Sequence, residues 1–382
     1  RTNSLQMSYS RKVHMSFPTN ISEIEKRVHS IDPLSYAATR NFKDGAITQL
    51  GPYISRGVIS TNQVFEQIKS LNMSWSSAEK LIQELAWRDY WQQVWIAKGD
   101  EIHSDIKHKQ EPISNYEMPK AIIEATTGIG EVDKAIQQLY ETGYMHNHMR
   151  MYVASICCNI ANSHWLEPAK WMYHHLLDGD LASNYLSWQW VAGAFSNKKY
   201  YANQDNINTY FKSTQKRTFL DVEYESFSTM VIPDQLTQTI QAGLSTVLPE
   251  QKKCSIEKDK ITLVYNYYNI DPYWHHNEDV QRIFLLEPSH FGSHPISKRC
   301  LDFALNLAGN IKGMQFFVGE FSELSTLLNP SMIVYKEHPT SSHYQGTEDA
   351  REWMSSVKGY YPSFFAFWKK VKKEINPDTS IV

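Results

Sequence analysis

Residues 178–190 read DGDLASNYLSWQW, and this stretch decides how the central part of the chain is interpreted. Asp180, Asn184 and Trp188 recur every four residues, so they share one face of an α-helix. Asp178 and Asp180 precede the helix, where a carboxylate can cap the first N–H groups. Capping explains neither the asparagine nor the indole. This face therefore predicts a polar, planar ligand.

The surrounding sequence is helical from residue 21 to about residue 215, because apolar residues recur there at spacings of three and four. Glu84, Trp87 and Arg88 form a second stripe on one of these helices, beside its apolar side. A partly exposed helix with a Glu84–Arg88 ion pair would give the same pattern, so this stripe alone does not establish a site. The predicted helices cover residues 20–29, 60–71, 76–98, 118–126, 131–142, 145–162, 166–178 and 180–193.

Helix 145–162, MHNHMRMYVASICCNIAN, carries a third polar stripe. Asn147, Arg150 and Met151 lie on one side of it. The two histidines that flank Asn147 diverge on a helix, and the two adjacent cysteines cannot both face one cluster. We therefore predict no zinc or iron–sulfur site.

A turn within DGAITQLGPYISRGVIS (44–60) forms a fourth feature. Thr48, Gln49, Leu50 and Gly51 precede a new helix, and the small residues among them leave backbone N–H groups open to an anion such as phosphate. Turns with a hydroxyl followed by glycine are common, so the segment alone is weak evidence.

Composition narrows the possible classes of protein. The 382 residues carry a net charge of −3, so any contact with nucleic acid is confined to a local patch. The aromatic content of 13% suits a large core or the stacking of planar ligands. The polar residues 1–20 are predicted to be a disordered leader. No long apolar run is present, and the four cysteines include an adjacent pair but no CxxC motif. These features favour a cytoplasmic protein without a membrane span.

The second part of the chain has a different pattern. We predict a linker over residues 216–258 with one short helix near 234–247. Residues 259–382 are predicted to form a small, largely parallel α/β domain that ends in a helix, because β-favouring runs alternate there with a helical segment after Ser297. The fold class is mainly α, with a helical domain followed by this smaller unit. The predicted strands lie in 261–269, 282–289, 314–321 and 332–339.

Taken together, the helical features resemble the FAD-binding domain of the DNA photolyase and cryptochrome family, most closely the photolyases that act on cyclobutane pyrimidine dimers. The resemblance covers residues 21–215. The α/β unit follows this region, whereas the antenna domain of the family precedes it. The matching runs, in family order, are Tyr36-x-x-x-Arg40, residues 44–60, ELAWRDYW (84–91), TGYMHNHMRM (142–151) and LLDGDLASNYLSWQW (176–190).

The resemblance implies that FAD is held among these helices. The turn at residues 48–51 and Tyr36 would contact the pyrophosphate, and Arg150 would pair with Asp178. Asn184 would place its amide at flavin N5, where asparagine is typical of the repair enzymes. The implied FAD-binding residues are Tyr36, Thr48, Gln49, Leu50, Gly51, Asn147, Arg150, Asp178, Asp180 and Asn184. The sequence leaves open whether an antenna chromophore is bound as well.

The resemblance also implies a DNA substrate. The implied pocket for an extruded pyrimidine dimer consists of Arg40, Glu84, Trp87, Asn147, Met151 and Trp190. Glu84 and Asn184 would take part in catalysis, and Trp188 and Trp165 would form an electron relay. The usual third tryptophan of the relay is missing, so either Tyr116 or Trp171 replaces it or the relay is shorter.

Three functions remain open from the sequence. The first is light-driven repair of cyclobutane dimers by an electron from reduced FAD, carried out by a monomer. The second is a cryptochrome-like blue-light photoreceptor that binds FAD without repairing DNA. The third is a flavin-free scaffold or DNA-binding relic. The colour of the purified protein and a repair assay would distinguish them. The first function predicts a coloured protein with light-dependent repair, the second a coloured protein without repair, and the third a colourless protein.

Overall fold

The computed structural model describes residues 15–377. Its first part is a helical domain in which the long helix α5 is central and packs against α2, α4 and α10. The helices are α1 (Ile21–His29), α2 (Pro33–Thr39), α3 (Gly51–Ser55), α4 (Thr61–Ser70), α5 (Trp75–Lys98), α6 (Lys120–Ile123), α7 (Gly130–Thr142), α8 (Asn147–Ser155), α9 (Leu166–His175), α10 (Leu181–Ala192) and α11 (Gln204–Phe211).

Local sequence signals set the ends of these helices. The Ser60 hydroxyl accepts from the backbone N–H of Gln63, and the Gln63 side chain accepts from Ser60 N, a capping box that starts α4. Asp180 caps α10, whose chain leaves the helix at Gly193 with φ +80°. Each helix predicted between residues 20 and 193 has a counterpart, whereas α2 and α11 were not predicted.

One predicted helix, 118–126, is mostly wrong. Its first residues form strand β1 (Met118–Pro119), which pairs antiparallel with β2 (Thr239–Ile240), so only the four-residue α6 remains. Proline at position 119 lacks the N–H that a helix interior needs, which favours the extended start.

The second part of the chain is a five-stranded parallel sheet with strand order β5-β4-β3-β6-β7. The predicted parallel arrangement is confirmed, and all four predicted strands are present. The edge strand β7 was not predicted. The strands are β3 (Thr262–Tyr265), β4 (Gln281–Leu286), β5 (Met314–Val318), β6 (Ile333–Lys336) and β7 (Thr347–Asp349), and the helices are α12 (Pro288–Ser293), α13 (Lys298–Ala308), α14 (Phe321–Ser325) and α15 (Phe364–Ile375).

Two sequence predictions about irregular segments need correction. The first is the disordered leader predicted for residues 1–20, of which residues 1–14 lie outside the described residues. Phe17, in the described part, is ordered: its ring centroid lies 6.5 Å from that of Tyr53 and 5.7 Å from that of Tyr144. The helix predicted near 234–247 is wrong: a single 3-10 turn, Asp234–Leu236, leads into β2. The β-branched residues there pair with β1, which satisfies backbone groups that a helix would otherwise bond.

The two units share one hydrophobic core. At their boundary the fully buried Arg56 lies over the ring of Tyr267, with the guanidinium carbon 3.5 Å from the ring centroid. Its backbone carbonyl accepts from Ile270 N at 2.9 Å, and its Nη2 donates to the Gly179 carbonyl. Within residues 15–377, no helix has the length and apolar character needed to cross a bilayer.

Candidate functional site

A cavity of about 400 Å³ lies between α2, the turn before α3, α5, α8 and α10. Ligand sites typically have volumes of roughly 300–1,000 Å³. The residues predicted from the sequence that line this cavity are Tyr36, Thr48, Gln49, Leu50, Gly51, Glu84, Trp87, Asn147, Arg150, Met151, Asp178, Asp180, Asn184, Trp188 and Trp190. Five separate segments of the chain therefore meet at one cavity.

The polar end of the cavity is built around an ion pair. Arg150 Nη2 lies 2.9 Å from Asp178 Oδ2, and Arg150 Nε donates to the Met145 carbonyl at 2.8 Å. Asp178 Oδ1 is buried and has no hydrogen-bond partner. A buried carboxylate oxygen without a donor is costly, so a ligand with a hydroxyl or N–H group would stabilise this position.

Asp180 has a different role from Asp178. Its Oδ1 accepts from Ser183 N at 2.7 Å, and both of its carboxylate oxygens accept from Gln92 Nε2 at 3.0 Å. The Gln92 oxygen in turn accepts from Arg351 Nη1 at 3.1 Å, which ties the α/β unit to the cavity wall. Of the two carboxylates for which capping was considered, only Asp180 caps α10.

The turn before α3 approaches the ion pair closely. Gln49 adopts φ +55°, a left-handed conformation that is uncommon for a residue with a side chain. A Cβ at Gly51 would lie 2.8 Å from Arg88 Nη2 and 3.0 Å from Asp178 Oδ2, so glycine is required for this approach. Arg88 also donates to Ser55 Oγ at 3.3 Å.

Asn184 is held firmly in the wall. Its Nδ2 donates to the Ala169 carbonyl on α9 at 2.8 Å, which fixes the plane of the carboxamide. The assignment of nitrogen and oxygen follows from this hydrogen bond. The amide of Asn184 therefore presents a fixed dipole to whatever fills the cavity.

Indole rings form another part of the wall. The ring centroids of Trp87 and Trp91 are 5.1 Å apart. Trp190 is 38% exposed and lies on the side of the cavity that is open to solvent. One face of Trp87 is covered by Phe364 from α15, with ring centroids 3.8 Å apart and an interplanar angle of 11°. The sequence contained no signal for this contact, because no local spacing relates the two residues.

One predicted site residue is corrected, and the Glu84–Arg88 ion pair considered as an alternative explanation of the stripe on α5 is not formed. Arg40 does not line the cavity: its guanidinium folds back on its own helix, where Nη1 donates to the Ala37 carbonyl at 2.8 Å. Glu84 pairs with Lys80 at 3.1 Å instead of with Arg88, because Arg88 is drawn toward Ser55.

Trp165 lies behind the cavity wall. It is fully buried, contacts Tyr185 edge-on at 5.7 Å, and donates its indole N–H to Asp105 Oδ1 at 2.7 Å. The same Asp105 oxygen bonds His164 Nε2 at 2.8 Å, and the His164 ring contacts Tyr116, which is 70% exposed. Of the two substitutes considered for the third relay residue, Tyr116 is thus the one that connects Trp165 to solvent.

The start of α8 depends on a neutral histidine. His146 Nδ1 accepts from the backbone N–H of His148 at 3.1 Å and thereby caps the helix that carries Asn147 and Arg150. Burial, together with the nearby His148 and Arg150, lowers the pKa of His146 to about 4. The ring is therefore neutral at pH 7 and can accept this hydrogen bond.

Several wall residues were not predicted as site residues. The polar residues among them lie within three positions of predicted site residues in the sequence: Arg88, Tyr144, Ser183 and Ser187. Arg88 also belongs to the polar stripe that the sequence indicated on α5. The apolar ones, which include Leu81, Leu85, Ala154, Met172 and Val191, look like core residues in the sequence. Across residues 15–377, no three His, Cys, Asp or Glu side chains are grouped so as to hold a metal ion.

Comparison with known proteins identifies the helical domain. Residues 81–225 match the sequence model of the family described as the FAD binding domain of DNA photolyase. This region, which is less than half of the chain, is therefore similar to the FAD-binding domain of DNA photolyases. The match extends over α5 to α11 and contains most of the wall of the cavity, while the α/β unit lies outside it.

Curated relatives match the same region. A deoxyribodipyrimidine photo-lyase of Streptomyces griseus is 33% identical over 149 residues, which is 39% of this chain and 32% of that protein. A cryptochrome DASH of Danio rerio is 32% identical over 167 residues, 42% of this chain and 32% of that protein. The match thus spans about a third of the length of these relatives. The solved Synechocystis cryptochrome aligns with a TM-score of 0.47 at 24% identity, over 51% of this chain and 44% of that one.

Proposed function

We propose that this chain binds FAD in the cavity and uses it for light-driven splitting of cyclobutane pyrimidine dimers in DNA. The observation that carries the proposal is that one cavity is lined both by the residues expected to hold FAD and, with the exception of Arg40, by those expected to hold the dimer. Cofactor and substrate would then be adjacent, which a reaction between them requires.

The residues present fit a dinucleotide. Asp178 Oδ1 lacks a donor and can accept from a ribityl or ribose hydroxyl, while Arg150 supplies positive charge beside it. Glycine at position 51 lets the turn at residues 48–51 lie close to Arg88 and Asp178, and backbone N–H groups of this turn can donate to a pyrophosphate. When bound and reduced, FAD supplies the electron that opens the cyclobutane ring under illumination.

The other wall residues would orient the reactants. The amide of Asn184, fixed by Ala169, would hold the edge of the flavin ring. Trp87 and Trp190 offer flat faces to an extruded pair of bases, and Glu84 and Asn147 offer hydrogen bonds to base edges. Extrusion costs a few kcal/mol and costs least for a damaged, poorly stacked pair, so the lesion itself contributes selectivity.

A relay to solvent is also supported. Trp188 lines the cavity, Trp165 lies behind it, and Asp105 and His164 connect Trp165 to the exposed Tyr116. The Asp105 carboxylate accepts from the Trp165 indole, and it would stabilise a positive charge that develops on that ring.

The experiment is an absorption spectrum of the purified protein, followed by a repair assay on thymine-dimer DNA under blue light. We expect flavin absorbance, repair in the light only, and loss of most repair in Trp87→Ala and in Glu84→Ala. Trp353→Ala, at a half-buried indole of the α/β unit that does not line the cavity, is the matched control and retains repair. Full repair by both cavity variants contradicts the proposed substrate site.

A photoreceptor that binds FAD without repair is the second candidate. Phe364 covers one face of Trp87, so the α/β unit contacts the substrate wall and would sense changes there. The relatives include proteins named cryptochrome DASH as well as photo-lyases. Flavin photoreduction without repair of any dimer substrate would favour this candidate.

A further inference from the structure

Residues 358–373 form the most basic stretch that borders the cavity. They contain five lysines and neither Asp nor Glu, although the whole chain has a net charge of −3. Six aromatic residues lie between the first of these lysines and the other four, and the stretch ends in α15. We call residues 358–373 the basic aromatic segment. Its lysines are Lys358, Lys369, Lys370, Lys372 and Lys373.

The apolar face of α15 is already covered. Phe364, Phe367, Trp368 and Val371 are buried against the helical domain. Trp368 stacks on Trp75 of α5 with ring centroids 6.4 Å apart. An ion pair of 2.6 Å between Lys372 and Glu79 joins the same two helices. The helix is therefore anchored by its apolar side and presents its other side to solvent.

The outer face of α15 combines one aromatic ring with cationic groups. Phe365 is 67% exposed, which is unusual for so large an apolar side chain. Lys369 follows it by one helical turn and lies on the same face, and Lys370 is exposed beside Lys369. An exposed aromatic ring next to lysines is typical of surfaces that bind single-stranded nucleic acid.

This face lies beside the proposed substrate pocket. Phe364 stacks on Trp87 of the cavity wall, and the neighbouring Phe365 ring is 5.4 Å from Phe364. Two ring contacts therefore separate Phe365 from the wall. Lys107 Nζ donates to the Pro362 carbonyl and fixes the start of the segment.

We propose that the outer face of α15 binds the DNA strand that carries the lesion, with Phe365 against a base next to the extruded pair and Lys369 and Lys370 on phosphates. This inference rests on the proposed function and adds to it a contact surface outside the region matched by the family. Charge complementarity with the phosphate backbone supports it in a chain whose net charge is negative.

A membrane surface is the competing partner for a basic helix with aromatic residues. Such helices bind by inserting their apolar face between lipid headgroups. In α15 that face is packed on α5, and Phe365 alone among its aromatic residues is exposed. DNA, which needs phosphate contacts and one stacking ring, therefore fits the surface better.

The test is dark binding of a labelled single strand with one thymine dimer, measured by fluorescence anisotropy over a range of salt concentrations. The slope of log affinity against log salt is negative, and in Lys369→Ala/Lys370→Ala its magnitude should decrease by about 1.4, since each phosphate contact on a single strand contributes about 0.7. Phe365→Ala should weaken binding by roughly fivefold or more with the salt slope unchanged, because stacking carries no counterion release.

The control is Lys252→Ala/Lys253→Ala, an adjacent exposed pair ahead of the sheet, which should keep the wild-type slope. A wild-type slope in Lys369→Ala/Lys370→Ala together with wild-type affinity in Phe365→Ala overturns the inference. Binding to phosphatidylserine vesicles that the lysine substitutions abolish, with DNA binding unchanged, overturns it in favour of a membrane. If the wild-type protein binds the DNA but does not repair it in light, only the proposed function is overturned. If the wild-type protein does not bind the DNA, the proposed function and the inference about α15 are both overturned.

Discussion

The ring of Phe364 lies flat against the indole of Trp87, with centroids 3.8 Å apart and an angle of 11° between the two planes. Phe364 is 3% exposed and belongs to α15, whereas Trp87 lies on α5 and lines the cavity. The C-terminal helix thus fixes the orientation of an indole that we propose stacks on the substrate. Contacts of this kind add about 0.5–1.5 kcal/mol to the energy of burial alone.

Phe364→Ala should separate this positioning role from simple packing. We expect the free energy of unfolding to fall by about 3–5 kcal/mol and the affinity for dimer DNA to decrease, with flavin retained. Phe321→Ala is the control, because the Phe321 ring stacks on Tyr344 at 4.6 Å and 11° within the α/β unit. Urea unfolding and anisotropy measure the two quantities. Equal effects of both substitutions on DNA affinity would contradict a specific role for Phe364.

The Arg150–Asp178 ion pair gives a prediction about cofactor retention. Asp178→Asn keeps the shape of the side chain but removes the charge that balances Arg150, so we expect flavin affinity to fall by roughly tenfold or more. The ratio of flavin to protein absorbance after purification measures this. Asp271→Asn breaks a comparably buried pair with Lys336, 3.0 Å apart, and should retain flavin. Loss of flavin from both variants would indicate a general structural effect.

Much of the helical domain follows from the sequence because its signals are local. The 3.6-residue period predicted α5, α8 and α10, and the same period placed Asn184 and Trp188 on one face. The two aspartates before α10 could both have been caps. Local spacing does not distinguish them. The resemblance implied that Arg150 pairs with Asp178, and in the structure Arg150 reaches Asp178 from another helix.

The parts that were missed depend on contacts between distant segments. Phe364 meets Trp87, and Arg351 reaches Gln92 across the boundary between the two units, without any signal in local spacing. A helix was wrongly predicted at 234–247, where β2 instead pairs with β1. Pairing between distant segments outweighs a weak local preference for helix there. Arg40 was misplaced because its sequence position does not reveal that it bonds a carbonyl of its own helix.

Asn184→Asp should disturb the flavin edge of the site. The new carboxylate would face the Ala169 carbonyl, to which Asn184 now donates at 2.8 Å, and two acceptors repel each other. We expect the free energy of unfolding to fall by about 1–3 kcal/mol, together with a changed flavin midpoint potential. Asn159→Asp is matched, because Asn159, which does not line the cavity, also donates to backbone carbonyls, those of Val191 and Tyr200. A shift in potential in both variants, or in neither, would count against a flavin contact at position 184.

The cap of α8 predicts how acid affects the site. Because the folded state lowers the pKa of His146 from 6.5 to about 4, the stability gained from the neutral ring is complete above pH 6.5 and is lost as pH falls from 6.5 toward 4. At pH 5 the loss from this group amounts to at most about 2 kcal/mol. Protonation also converts Nδ1 into a donor and breaks its hydrogen bond with His148 N, which frees the start of the helix that carries Arg150.

His146→Asn should reduce this acid sensitivity. Asparagine is a good N-cap whose oxygen accepts the same backbone N–H and does not titrate. We expect the difference in unfolding free energy between pH 7 and pH 5 to be smaller than in the wild type, and flavin release on acidification to be shifted to lower pH. Urea unfolding and flavin fluorescence at both pH values measure these effects, with His276→Asn on the exposed surface as the control. His146→Asn keeps the cap but removes the titrating ring. An unchanged pH dependence in this variant would therefore mean that another group causes the acid response.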